Sequence, residues 1–224
     1  MKKIKNFDFK LSFSKKINQK TLRITILKKG EVKVSMPYFY SEKKALLFVN
    51  EHKEWILTEL AKQKSKVFQN NDEVFILGKI YKIIHDEKQK GGILVKDGVL
   101  FVGGEKEFLH RRVCNFAKKE LLKYIYEKST SYAALIDKKI NKITLKDVSS
   151  RWGSCSSKGN LNFCFKLAFA PIFVVDYLIA HEVAHLKEMN HSAAFWQTVA
   201  LMETEQAKAS NWLRKNGADL MKIK

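Results

Sequence analysis

The sequence predicts an α+β protein: a β-rich N-terminal part with one long helix, then a mainly helical C-terminal part with a small antiparallel sheet. Three observations carry this expectation. Short alternating segments separated by glycine turns recur up to Val102. From Glu105 the apolar residues recur at helical spacing instead. Late in the chain, a run that starts at Pro171 and lacks glycine contains His181-Glu182-Val183-Ala184-His185.

In chain order, segments 7–13, 21–27 and 31–36 read as strands, with a turn at Lys29-Gly30 between the latter two. Ser41 is placed to cap the long helix, whose apolar positions Ala45, Leu46, Phe48, Val49, Trp55, Ile56 and Leu60 carry it to about Lys66. Strands resume at 73–76, 79–85, 93–96 and 99–102, and Asp97-Gly98 is a strong hairpin signal because both residues accept a positive φ. Phe108, Val113, Phe116, Leu121, Leu122, Tyr124, Ile125 and Tyr132 mark one or two helices reaching about Ile136. The change of period places a domain boundary near Glu105, giving a β-rich domain over 1–104 and a catalytic domain over 105–224. Ile143, Leu145 and Val148 then lead toward a returning strand on which Leu161, Phe163, Phe165 and Leu167 alternate. Gly153 permits close backbone approach, either by a substrate strand at a sheet edge or by a hairpin packed on the next helix.

That next helix carries the chemistry. Pro171 suits its first turn, where an N–H would lack an intrahelical partner. Val174, Val175, Leu178, Ile179 and Ala180 crowd the turns before the histidines, as in a helix buried on most sides. His181 and His185 then lie one turn apart on one face and can grip one divalent ion, while Glu182 sits about 100° round the helix beside it. His191 becomes the third ligand if the helix stops soon after Lys187 and Asn190, in a left-handed conformation, turns the chain back. Ser192 is placed to cap a following helix through Phe195, Trp196, Val199 and Leu201, and a last helix is expected near 205–215. His52, His85 and His110 have no such company and read as solvated or partly packed.

Three protein ligands leave a fourth tetrahedral position open, which distinguishes a catalytic zinc site from a closed structural one. Zinc would lower the pKa of water from ~15.7 toward ~7 and polarise a carbonyl. Glu182 would accept the water proton and return it to the leaving amine. A further donor to the oxyanion is not singled out; Tyr177, one turn before His181, and Arg151, ahead of the helix, are the candidates.

Ser150-Arg151-Trp152-Gly153-Ser154-Cys155, Leu161-Asn162, Ala170-Pro171, Asp176-Tyr177, the run His181 to Leu186, His191-Ser192 and Phe195-Trp196 together resemble the YgjP-like family of zinc metallopeptidases, related to SprT-like proteins. The resemblance covers most of the chain. It is strongest over 143–212 and looser over 21–24 and 32–37. It implies a zincin-like catalytic domain with His181, His185 and His191 on one zinc ion per chain, Glu182 as catalyst, and a peptide or protein substrate. The chain departs from it at 202–204, where a proline-containing turn is expected and no proline stands.

Composition narrows the alternatives. A 224-residue chain with 46% hydrophobic residues can bury a substantial core. No apolar run approaches the ~20 residues that span a bilayer. Charges at Asp8, Lys10, Lys15 and Lys16 interrupt any signal-peptide core, so a cytoplasmic protein is expected. Cys114, Cys155 and Cys164 are odd in number without C-x-x-C spacing, which fits reduced thiols. The net charge of +19 invites a nucleic-acid reading. Residues 1–105 hold 22 Lys/Arg against 12 Asp/Glu and residues 106–224 hold 20 against 11, so no basic tail stands out and a solvated lysine surface is the simpler account. Two readings besides a zinc peptidase therefore stand: a nucleic-acid-associated SprT-like protein, and a non-catalytic module with a structural metal.

Overall fold

Val32, Val34 and Met36 alternate along β3 (Glu31–Pro37) and draw it into the centre of a three-stranded sheet. β1 (Lys10–Lys16) pairs with it in parallel and β2 (Arg23–Leu27) antiparallel. The computed structural model describes residues 7, 9–27, 30–62, 65–202 and 204–224. It divides into two compact units, Met1–Lys66 and Val67–Lys224. The expected turn residue Lys29 lies outside the described residues, whereas Gly30, at φ +73°, donates its N–H to the Leu27 carbonyl at 3.2 Å.

One face of the first sheet packs on helices. Leu11, Val32, Val34 and Met36 meet Ala45, Val49 and Ile56 in one core. Ser41 caps α1 (Glu42–Glu51), its hydroxyl accepting from the Lys44 N–H at 3.3 Å. The single long helix of the sequence reading is two helices, because α1 stops at His52 and α2 (Lys53–Lys62) follows. At the junction the His52 Nδ1 lies 2.9 Å from the Phe48 carbonyl, beside the His52 backbone N–H at 3.3 Å.

The second unit begins with a four-stranded sheet in the order β4-β5-β7-β6. β4 (Glu73–Ile76) and β5 (Lys79–Asp86) form one hairpin; β6 (Ile93–Lys96) and β7 (Val99–Gly103) form another, turned by Asp97 and Gly98 at φ +49° and +75°. β5 and β7 pair in parallel. α3 (Leu109–Leu135) is one 27-residue helix, and Leu109, Val113, Ala117, Leu121 and Ile125 form its buried stripe at four-residue spacing. Ile83, Leu100 and Val102 share a core with that stripe. The change of period near Glu105 thus falls inside the second unit, and the compact division lies at Lys66 instead. A switch of local period marks an element boundary, which one core can span.

The small sheet has the order β8-β10-β9. β9 (Gly153–Cys155) pairs antiparallel with β10 (Asn160–Cys164), as the hairpin predicts, but β8 (Lys142–Lys146) joins β10 in parallel, so the sheet is mixed rather than antiparallel. Side chains lock that parallel register: Thr144 Oγ1 donates to Asn162 Oδ1 and Asn141 Nδ2 to Asn160 Oδ1, both at 2.8 Å. The alternation expected to run through Leu167 ends at Cys164, and Phe165–Phe169 form a 3-10 turn buried at every residue. A strand covered on one face buries every second side chain, whereas here five consecutive residues are buried. Lys166 is buried there with its Nζ 3.1 Å from Asp147 and donating to the Met221 carbonyl at 3.2 Å. α4 (Ile172–Ala184), α5 (Ala193–Ala200) and α6 (Gln206–Leu220) complete the unit. The 202–204 segment carries no proline, and Glu203 lies outside the described residues. Among the described residues, no helix is long and apolar enough to cross a membrane.

Candidate active site

α4 places the first two imidazoles. Pro171 stands at its N-cap, and nine of its residues are buried, from Val174 to Ala184. The helix ends at His185, earlier than the Lys187 stop expected from sequence. There the chain folds back, and the Glu188 carbonyl lies 2.9 Å from His185 Nδ1. A proton on Nδ1 donated to that carbonyl leaves Nε2 as the lone-pair nitrogen.

The connection to α5 delivers the third imidazole by a different device than expected. Asn190 is not among the residues with positive φ; instead its Oδ1 accepts the Ser192 N–H at 3.3 Å and turns the chain through a side chain. Ser192 then caps α5, accepting from the Phe195 N–H at 3.4 Å. His191, just before this cap, is exposed, and its Nε2 lies 3.0 Å from His181 Nε2.

The three rings converge. One nitrogen from each of His181, His185 and His191 lies within 4.8 Å of the others, and the ring centroids are 4.9–5.0 Å apart. Burial, then the neighbouring rings, push His181 down to about 4, so it is neutral near pH 7 and able to ligate. Its buried Nδ1 has no hydrogen-bond partner among the described residues. The donor set fits a divalent ion: three imidazoles from two sides, with His191 open to solvent. No second such cluster occurs among the described residues. His52, His85 and His110 instead face backbone groups: Phe48 carbonyl, Gly104 carbonyl, and both the Phe68 N–H and Lys224 carbonyl, respectively.

Glu182 sits beside this cluster at 5% exposure. Burial raises its pKa to about 7, against a smaller lowering by the Arg151 charge. Gly153 explains how a strand comes so close, because a Cβ there would fall 2.4 Å from Glu182 Oε1 and 2.7 Å from its Cδ. β9, which carries Gly153, is an edge strand of its sheet. Tyr177 is buried with its ring edge-on to His181 at 6.0 Å, while Arg151 is exposed. All three cysteines are free, and burial together with the Glu182 charge lifts the Cys155 thiol to about 11, so it is protonated near neutral pH.

Two features escaped the sequence reading. Phe195 was assigned only to helix packing, yet its fully buried ring lies 4.6, 4.7 and 5.0 Å from His185, His191 and His181 and floors the whole cluster. Its place three residues after the Ser192 cap was the available signal. The Glu188 carbonyl that orients His185 leaves no trace in residue identity, since any residue has a carbonyl.

The family model described as YgjP-like, metallopeptidase domain matches residues 20–216, and the chain belongs to that family. No curated protein matches. A solved structure similar to part of the chain is the metallopeptidase zymogen of Pyrococcus abyssi abylysin, at 19% identity and a TM-score of 0.37, over 41% of this chain and 93% of that one.

Proposed function

We propose that this member of the YgjP-like metallopeptidase family hydrolyses peptide bonds, with Glu182 as general base and then general acid beside a metal held by His181, His185 and His191. The observation that carries this reading is the convergence of three imidazoles next to a buried carboxylate that none of them neutralises. Three imidazole nitrogen donors suit zinc, one ion per chain. When bound, such an ion supplies Lewis acidity toward water and a carbonyl oxygen.

The chain's own residues do the rest. Glu182, raised to about 7, is matched to taking a proton at Oε near neutral pH and releasing it to a leaving amine. His185 is held in one tautomer by Glu188 and so keeps its direction during turnover. The edge position of β9 offers backbone groups to an extended peptide, and Gly153, lacking a Cβ, lets that strand lie directly against Glu182. Arg151, exposed ahead of β9 and acting electrostatically on Glu182, is better placed than buried Tyr177 to meet the oxyanion.

A peptide-library digest with purified protein, run alongside Glu182→Gln and with metal content measured for both, tests the reading. Cleavage by the first and its loss in the second at equal metal content is the expected result. Equal behaviour of the two proteins would leave the metal a structural role and end the peptidase assignment.

A further inference from the structure

The compact division at Lys66 redistributes the charge. Residues 1–66 hold 17 Lys/Arg against six Asp/Glu, while residues 67–224 hold 25 against 17, so +11 of the +19 sits in less than a third of the chain. A cut at Glu105 conceals this. The first unit is therefore about three times as basic per residue as the second.

Its charge has a place in the fold. α1 and α2 pack on the sheet face that carries Leu11, Val32, Val34 and Met36. Register puts the opposite side chains on the other face: Ser12, Lys33 and Thr25 form one row across the strands, and Ser14, Ser35 and Arg23 form the next. Lys16 ends this face on β1. The face is one of hydroxyls and cations, with Lys16, Arg23 and Thr25 exposed, Ser12, Ser14 and Lys33 half-buried and Ser35 buried. Glu31, its one carboxylate among the described residues, is engaged by Lys10 at 3.5 Å. Lys16, Arg23 and Lys33 make no ion pair among the described residues. Gln19 donates to the Thr21 and Ser35 carbonyls at 2.8 and 2.9 Å, which pins the β1–β2 connection and the exposed Lys20 to the same end.

Aromatic surface lies at that end too. Tyr38 and Phe39 directly follow β3, with rings edge-to-face at 5.4 Å, and are 55% and 96% exposed; Ile17, next to Lys16, is 85% exposed. An almost fully exposed phenylalanine is costly in water unless something covers it. Exposed rings beside cations and hydroxyls match a nucleic acid whose bases are free to stack, because cations track phosphates while ring faces accept any base.

We propose that the unit Met1–Lys66 binds single-stranded nucleic acid, phosphates along the Lys16, Arg23 and Lys33 face and a base on Phe39. A duplex keeps its bases stacked internally and offers Phe39 nothing, and an acidic protein or anionic membrane offers charge without bases. The inference is independent of the peptidase reading, since no residue in it belongs to the metal site.

The test is a salt titration of full-length protein against fluorescent oligothymidylate, with duplex DNA, polyglutamate and phosphatidylserine vesicles as competitors. Binding is expected to weaken with salt at a log–log slope of about −2 to −3, for three to four cations on a single strand. Phe39→Ala should weaken oligothymidylate binding by about tenfold or more at unchanged slope. Lys16→Ser with Arg23→Ser should shrink the slope by about 1.4. Polyglutamate or vesicles competing as well as the single strand would overturn the proposal, as would no binding at low salt or tighter binding to duplex. These comparisons use unmodified protein and stand even if a variant misfolds.

Discussion

The three-histidine cluster is held by two unlike pieces of chain. On one side, α4 presents His181 and His185 from a helix whose residues are buried on nearly every face. On the other, an eight-residue passage from His185 to Ser192 presents the exposed His191 through a carbonyl contact and two side-chain caps. The helix side gains its geometry from packing and resists change, while the passage depends on a few hydrogen bonds, two half-buried and one exposed. On the proposed reading, the helix side would set where a metal sits and the passage how readily it leaves.

Changes on the helix side should cost most. Glu182→Gln is expected to lower turnover by about 10²–10⁴-fold with metal content unchanged, read by peptide cleavage and metal analysis. Parallel loss of metal and activity would mean that Glu182 supports the site instead of the reaction. Gly153→Ala drives a Cβ into Glu182 and should destabilise the fold by about 1–3 kcal/mol in denaturant melts while reducing activity. A silent Gly153→Ala would show that β9 and α4 are looser than their contact implies.

The same carboxylate should leave a pH signature in metal-free protein. Its folded pKa of about 7 exceeds the ordinary glutamate value of 4.5, so the folded state holds the extra proton between these values and stability falls as pH rises through that window. Removing the charge should therefore stabilise. Metal-free Glu182→Gln is expected to gain up to about 3 kcal/mol over wild type at pH 8 relative to pH 4, measured by melting both proteins across that range. Histidine effects are common to both and cancel in the difference.

The passage should yield smaller effects. Ser192→Ala removes the α5 cap and should cost about 0.5–2 kcal/mol. Asn190→Ala removes one exposed hydrogen bond, and its expected signature is about tenfold faster metal loss to a chelator with little change in melting temperature. If Asn190→Ala instead unfolded the protein as severely as Gly153→Ala, the contrast between the two sides would fail.

The legibility of the fold follows the same division. The helical spacing of His181 and His185, the Ser41 and Ser192 caps and the Asp97-Gly98 turn were readable because each depends on residues within one or two turns. The break at His52 was not, since the apolar positions Val49, Trp55 and Ile56 continue across it. Phe165 and Leu167 kept a strand-like rhythm but sit in a 3-10 turn, because the core buries their neighbours as well. Charge misled for a simpler reason: counts taken about Glu105 averaged over a boundary that lies at Lys66.

The amino-acid order alone determined the α+β class, the metal-helix pattern and the family likeness, because periodicity, caps and motif spacing are local and survive without knowledge of distant partners. Only the tertiary structure decided that β8 and β10 run parallel, that Gly153 abuts Glu182, that Phe195 floors three imidazoles and that His191 closes on His181. Each of these joins segments through burial that is shared across the core, and a pairing whose free energy depends on what else is buried cannot be read from either partner.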